Sequence, residues 1–97
     1  MLTFTLDIRV APEHRGTALD TLAGIEGISQ KDSGCIQFGW YQHEAEPDRF
    51  TLFEQWESQQ DLDTHIEKIL PLWEEFVPCL ADEPRSASMA PVVRAER

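Results

Sequence analysis

An α+β domain with the element order β-α-β-β-α-β is predicted by three features of the chain. Residues 2–10 alternate without a break, Leu2, Phe4, Leu6, Ile8 and Val10 in one phase and Thr3, Thr5, Asp7 and Arg9 in the other, which is the period of a half-buried strand. Two aromatic-rich runs of period two, Cys35–His43 and Arg49–Glu57, are separated by a short polar connection, the pattern of a hairpin. Leu62, His65, Ile66 and Ile69 then recur at i, i+3, i+4 and i+7, the spacing of one helix face. At 97 residues the chain is one domain, read as residues 1–97 with a core of about 2–80 and a terminal strand or arm at 85–97.

After the first strand, Ala11-Pro12-Glu13 reads as a helix start, because proline has no N–H to lose in the first turn and an acid suits the positive end of the helix dipole. Ala18, Leu19, Leu22, Ile25 and Ile28 form the expected inward stripe, weakened by Gly16, Gly24 and Gly27. The turn Lys31-Asp32-Ser33-Gly34 leads to the second strand, with Ile36, Phe38 and Trp40 in one phase. Glu44–Asp48 connects to the third strand, where Phe50, Leu52, Glu54 and Trp56 share a face. Ser58 with Asp61 at N3 reads as a shortened capping box. Pro71 is expected to break or kink the second helix, with Leu72, Trp73, Phe76 and Val77 restarting the period in a short third one. Asp82-Glu83-Pro84 is a linker, and Arg85–Arg94, containing Pro91, suits an edge strand or extended arm. The order is the ferredoxin-like split βαβ arrangement, a four-stranded antiparallel sheet with helices on one face. The other face would carry Thr3, Thr5, Gly39, Tyr41 and Phe53, and in so small a domain a second copy packed against it would supply missing core. A homodimer is expected.

Eight Lys and Arg stand against 18 Asp and Glu, a net charge of −10. That surplus argues against nucleic acid and against an anionic membrane surface, both of which are held by clustered basic residues. Nine of the acids lie between Glu54 and Glu83, where Lys68 is the single basic residue, and they are expected on outward helix faces as a solvated surface. The chain shows no basic start followed by an apolar run and no span of transmembrane length, so a cytoplasmic location is expected. Cys35 and Cys79 have no CxxC spacing and read as small buried hydrophobes.

Chemistry is expected on the helix-facing side of the sheet. Phe38, Trp40, Phe50, Leu52 and Trp56 would wall a cavity there, with Glu54 turned inward by its strand phase and His65 brought over it by the second helix. Aromatic residues at period two are ordinarily core, but a carboxylate is rarely buried without a partner or a function. An imidazole titrates near neutrality and is suited to taking a phenolic or enolic proton. His14 and His43 share no ligand spacing with His65, so no metal site is expected, and no nucleotide, dinucleotide or serine-hydrolase motif is present.

Gly34-Cys35-Ile36-Gln37-Phe38, then Pro47-Asp48-Arg49-Phe50-Thr51-Leu52-Phe53-Glu54-Gln55-Trp56-Glu57-Ser58, then Leu62-Asp63-Thr64-His65, together resemble the antibiotic biosynthesis monooxygenase domain, which includes the quinol monooxygenases. The resemblance implies a dimeric α+β barrel and oxidation of a small phenol or hydroquinone by O2 without a cofactor. It also implies Trp56 and His65 as site residues, with Glu54 and Phe38 as lining. In that scheme His65 is the base, Glu54 orients its ring, Trp56 is a stacking wall, and Trp40 and Leu52 complete the substrate-binding surface. The haem-degrading branch of the superfamily uses an Asn from strand 1, where the inward phase here offers Leu6 or Ile8. The same cavity also suits a non-catalytic ligand-binding dimer, or an isomerase that moves a proton on a small keto compound.

Overall fold

The structure, a computed structural model, describes residues 1–93. The elements are β1 (Leu2–Arg9), a 3-10 turn (Pro12–His14), α1 (Arg15–Ser29), β2 (Cys35–Gln42), β3 (Arg49–Trp56), α2 (Gln59–Phe76), a second 3-10 turn (Val77–Cys79) and β4 (Arg85–Met89). The sheet has the order β2-β3-β1-β4 with every neighbour antiparallel. β4 is the predicted edge strand, and the part of the arm at residues 94–97 lies outside the described residues.

Register aligns the inward set. Phe4, Leu6 and Ile8 of β1 stand opposite Glu54, Leu52 and Phe50 of β3, and Phe38 and Trp40 of β2 stand opposite Glu54 and Leu52. One cluster joins Ile8, Val10, Ala18, Leu22, Phe50, Phe76 and Cys79. A second joins Ile25, Phe38, Leu52, Trp56 and Leu62. Both thiols are free, Cys79 buried and Cys35 half-buried. The backbone N–H of Trp40 donates to Glu26 Oε1 at 2.6 Å and Gln30 Nε2 donates to the Phe38 carbonyl at 3.0 Å, so α1 clamps the edge strand β2 and occupies groups that would otherwise invite another chain.

Three expectations are corrected. Ile36 is 46% exposed, because a β-bulge between Cys35 and Gln37 resets the phase and sets Cys35 opposite Trp56; one extra residue on one strand moves its neighbour to the other face. Leu19 and Ile28 lie outside the α1 stripe, which buries the expected Ala18, Leu22 and Ile25 together with Ser29. Pro71 does not end α2, which runs unbroken to Phe76. The proline and Glu67, whose carbonyl loses its helical donor, are both exposed, so water can take the orphaned bond. Leu62, His65, Ile69, Leu72 and Phe76 meanwhile keep one inward stripe on either side of it.

Among the described residues the opposite sheet face carries no helix. Tyr41 is 63% exposed there, Phe53 and Thr5 are half-buried, and Met89 stands opposite Thr3. Asp7 and Arg49 form a two-pronged ion pair on it, with Nη2 to Oδ2 at 2.8 Å and Nε to Oδ1 at 3.1 Å, and the Arg49 guanidinium holds the Asp7 carboxyl below its usual range.

Candidate functional site

A cavity of about 350 Å³ opens between the sheet and α2. Its floor is the inward face of the sheet, with Phe38 and Trp40 from β2, Leu52 and Glu54 from β3, and Phe4 and Leu6 from β1. α2 supplies His65, Ile66, Ile69, Leu70 and Trp73 as the roof. Glu54 and His65 are the only titratable side chains in its described lining. The exposed members of its lining include Ser86 of β4, which stands opposite Leu6, and Ile66 and Leu70 of α2.

Five of the six sequence-predicted site residues, Phe38, Trp40, Leu52, Glu54 and His65, line this one cavity. The sixth, Trp56, does not. It is fully buried behind the wall, so it is not a stacking surface for a ligand in this structure. Its Nε1–H donates to Glu54 Oε1 at 2.7 Å, and its ring packs on His65 with centroids 4.4 Å apart. Trp56 therefore ties together the two polar groups of the cavity from behind. Phe38 packs against the same imidazole in a T-shaped arrangement, centroids 5.4 Å apart.

Contrary to expectation, Glu54 does not orient His65; its carboxylate accepts from Trp56. The partner is Asp32, whose Oδ2 lies 2.8 Å from His65 Nδ1. The other oxygen of Asp32 accepts from Lys68 Nζ at 2.5 Å. Asp32 sits in the turn between α1 and β2, and its composition is that of any turn, which hides a longer-range role. The signal that could have exposed it is Lys68, three residues after His65 on the same helix face and the sole basic residue in an acidic stretch.

The carboxyls differ in environment. Burial pushes Glu54 up from its ordinary value, opposed by the Trp56 hydrogen bond and the nearby His65. Burial also acts to raise Asp32, but the hydrogen bonds from Lys68 and His65 outweigh it and the group ends below its ordinary value. The two carboxyls are thus shifted in opposite directions by their surroundings. The Trp40 Nε1–H is buried with no acceptor among the described residues. No cluster of three or more metal-ligating His, Cys, Asp or Glu occurs among the described residues, nor does any helix among them have the length and hydropathy to cross a membrane.

Comparison with known proteins agrees with this architecture. The family model "Antibiotic biosynthesis monooxygenase" matches residues 1–77. A crystal structure of an antibiotic biosynthesis monooxygenase superposes with a TM-score of 0.89 at 18% identity, covering 96% of this chain and all of that one. Rv0793 from Mycobacterium tuberculosis gives 0.86 at 19% identity over 97% of each chain, and PA3566 from Pseudomonas aeruginosa gives 0.85 at 22% over 95% of this chain and 94% of that one. At such identities these likenesses speak to fold alone. The uncharacterised protein sll1783 of Synechocystis sp. is 30% identical over 71 residues, 73% of this chain; the chain spans about half (47%) of that relative's length. The matched region holds β1 to α2, the whole segment that carries Glu54, Trp56 and His65, and the chain belongs to the antibiotic biosynthesis monooxygenase family.

Proposed function

We propose that the cavity binds a small phenol or hydroquinone and oxidises it with O2, His65 taking the hydroxyl proton. The observation that carries this reading is an apolar wall around about 350 Å³ on which one imidazole and one half-buried acid are the only titratable groups among the described residues. A cavity of roughly 150 Å³ accommodates benzene, so this one has room for one or two fused rings and a molecule of O2. Removing the hydroxyl proton leaves an electron-rich anion that gives an electron directly to O2; the two radicals then join through a new C–O bond. One oxygen atom stays in the product and the other departs as water with two hydrogens of the substrate. The substrate itself supplies the electrons, and the protein supplies a base, orientation and exclusion of water. Glu54, whose carboxyl burial pushes above its ordinary value, lines the same cavity as His65.

Oxygen uptake with a panel of mono- and bicyclic hydroquinones tests this. Turnover by the parent and a fall of at least about 10²-fold in His65→Ala are expected. Unchanged uptake in the variant removes His65 from the chemistry, and a parent inert to the whole panel overturns the oxidation and leaves ligand binding or proton transfer on a keto compound.

The bare sheet face supports a homodimer as part of the same reading. Exposed Tyr41 and Met89 and half-buried Phe53 share this face, an apolar area that a second copy would bury. Light scattering at micromolar concentration should return twice the chain mass; the mass of a single chain would rule the dimer out.

A further inference from the structure

One carboxylate is gripped by two residues of the same helix face. His65 and Lys68 are three apart on α2, and each takes a different oxygen of Asp32, Nδ1 to Oδ2 at 2.8 Å and Nζ to Oδ1 at 2.5 Å. The Asp32 side chain is 9% exposed and that of His65 2%, so neither exchanges its partner freely with water. The backbone holds Asp32 in place as well. Its N–H donates to the Ser29 carbonyl and its carbonyl accepts from the Cys35 N–H, both at 3.1 Å. Glu54 on β3, bonded to Trp56, also feels His65, and the half-buried Cys35 on β2 feels Asp32 and Glu54.

We infer that Asp32 is a positioning residue that fixes His65 as the tautomer protonated on Nδ1, so that Nε2 carries the lone pair, and that Lys68 enforces this choice by occupying the second oxygen. A carboxylate can only accept, so the Nδ1 that faces it must donate. In a neutral imidazole the other nitrogen is then the acceptor. This deepens the proposed function, because Nε2 becomes the atom that receives the substrate proton while Nδ1 keeps its own; the imidazolium so formed lies beside a negative charge until Nε2 returns the proton to the departing oxygen.

Lys68 makes the inference sharp. An ammonium group has donors only, so in the near-isosteric Asp32→Asn the amide oxygen goes to Lys68 and the NH2 turns to His65. Nδ1 must then accept, and the proton moves to Nε2. Removing the ammonium in Asp32→Asn/Lys68→Met frees the amide to rotate, and Nδ1–H can return.

Long-range proton–nitrogen correlation spectra of the full chain at alkaline pH read the tautomer directly, without any substrate. Nδ1–H is expected in the parent, Nε2–H in Asp32→Asn, and Nδ1–H again in the double variant. In oxygen uptake, Asp32→Asn should lose roughly 10²–10⁴-fold in kcat with KM nearly unchanged, since a correctly placed ring in the wrong tautomer still binds, and the double variant should recover at least about tenfold of that loss. An Nε2–H parent, or an Asp32→Asn that keeps Nδ1–H, overturns the inference. Should Asp32→Asn not fold, the parent spectrum decides. A parent without oxygen uptake defeats the oxidation chemistry, while the tautomer spectra still decide the role of Asp32.

Discussion

Trp56→Ala is expected to remove about 3–5 kcal/mol of stability, the range for deleting a large buried aromatic side chain. Trp56 is fully buried in the second core cluster, it stacks on His65, and it provides the recorded hydrogen bond of Glu54. Since a domain of this size is stable by only about 5–15 kcal/mol, the variant should unfold at much lower urea, or fail to fold. Trp56→Phe isolates the hydrogen bond. It keeps most of the apolar volume and leaves Glu54 a half-buried acid without its donor. The sign of the pH effect follows from the direction of the Glu54 shift. Burial raises its folded value above the unfolded one, so the fold is favoured while the group is protonated, and that contribution is lost as pH rises through the folded value. The Trp56 N–H opposes the loss by stabilising the carboxylate. Trp56→Phe should therefore destabilise more at neutral pH than at a pH where Glu54 is protonated. Urea titrations at the two pH values measure this, and an equal penalty at both would show that the indole N–H does not act on the carboxylate.

Gly34→Ala should cost about 1–3 kcal/mol, the typical penalty for a side chain in sparsely populated backbone space, and more if its neighbour cannot move. Gly34 has φ +80, and a Cβ built there would overlap the Asp61 carboxylate. Asp61 has little freedom to withdraw, because its carboxylate accepts from Ser58 Oγ at 2.8 Å and its N–H donates back to the same oxygen at 3.1 Å, which is the cap of α2. The Gly34 carbonyl also accepts from the Glu57 N–H at 2.8 Å. This turn is where Asp32 reaches His65, so the same change should also lower turnover. Gly24→Ala serves as the contrast: its Cβ meets nothing within 4 Å, and on an exposed helix position it should stabilise by about 0.5–1 kcal/mol. Thermal unfolding of both variants would test the pair, and a Gly34→Ala as stable as the parent would show that the turn can relax away from α2.

Much of the cavity was legible in the chain because strand and helix periods are local. Period two along Arg49–Trp56 set Phe50, Leu52, Glu54 and Trp56 on one face, and all four point inward or line the cavity. Helical spacing likewise placed Leu62 and His65 over that face. Local rules failed where one residue or a distant partner intervened. A bulge at Cys35/Gln37 exchanged Ile36 for Cys35, and packing on both sides of Pro71 carried α2 through a residue that by itself disfavours a helix interior.

The element order, the inward phase of β3 and the presence of one acid and one imidazole among aromatics were determined by the sequence alone, since each follows from the alternation of apolar residues within a single element. Which polar group meets which was decided only by the tertiary structure. Glu54 is bonded to Trp56 two residues away, and His65 to Asp32 thirty-three residues away. Hydrogen bonds act over about 3 Å and within a narrow angle, so the partner is chosen by how the α1–β2 turn docks on α2. No periodicity along the chain records that docking.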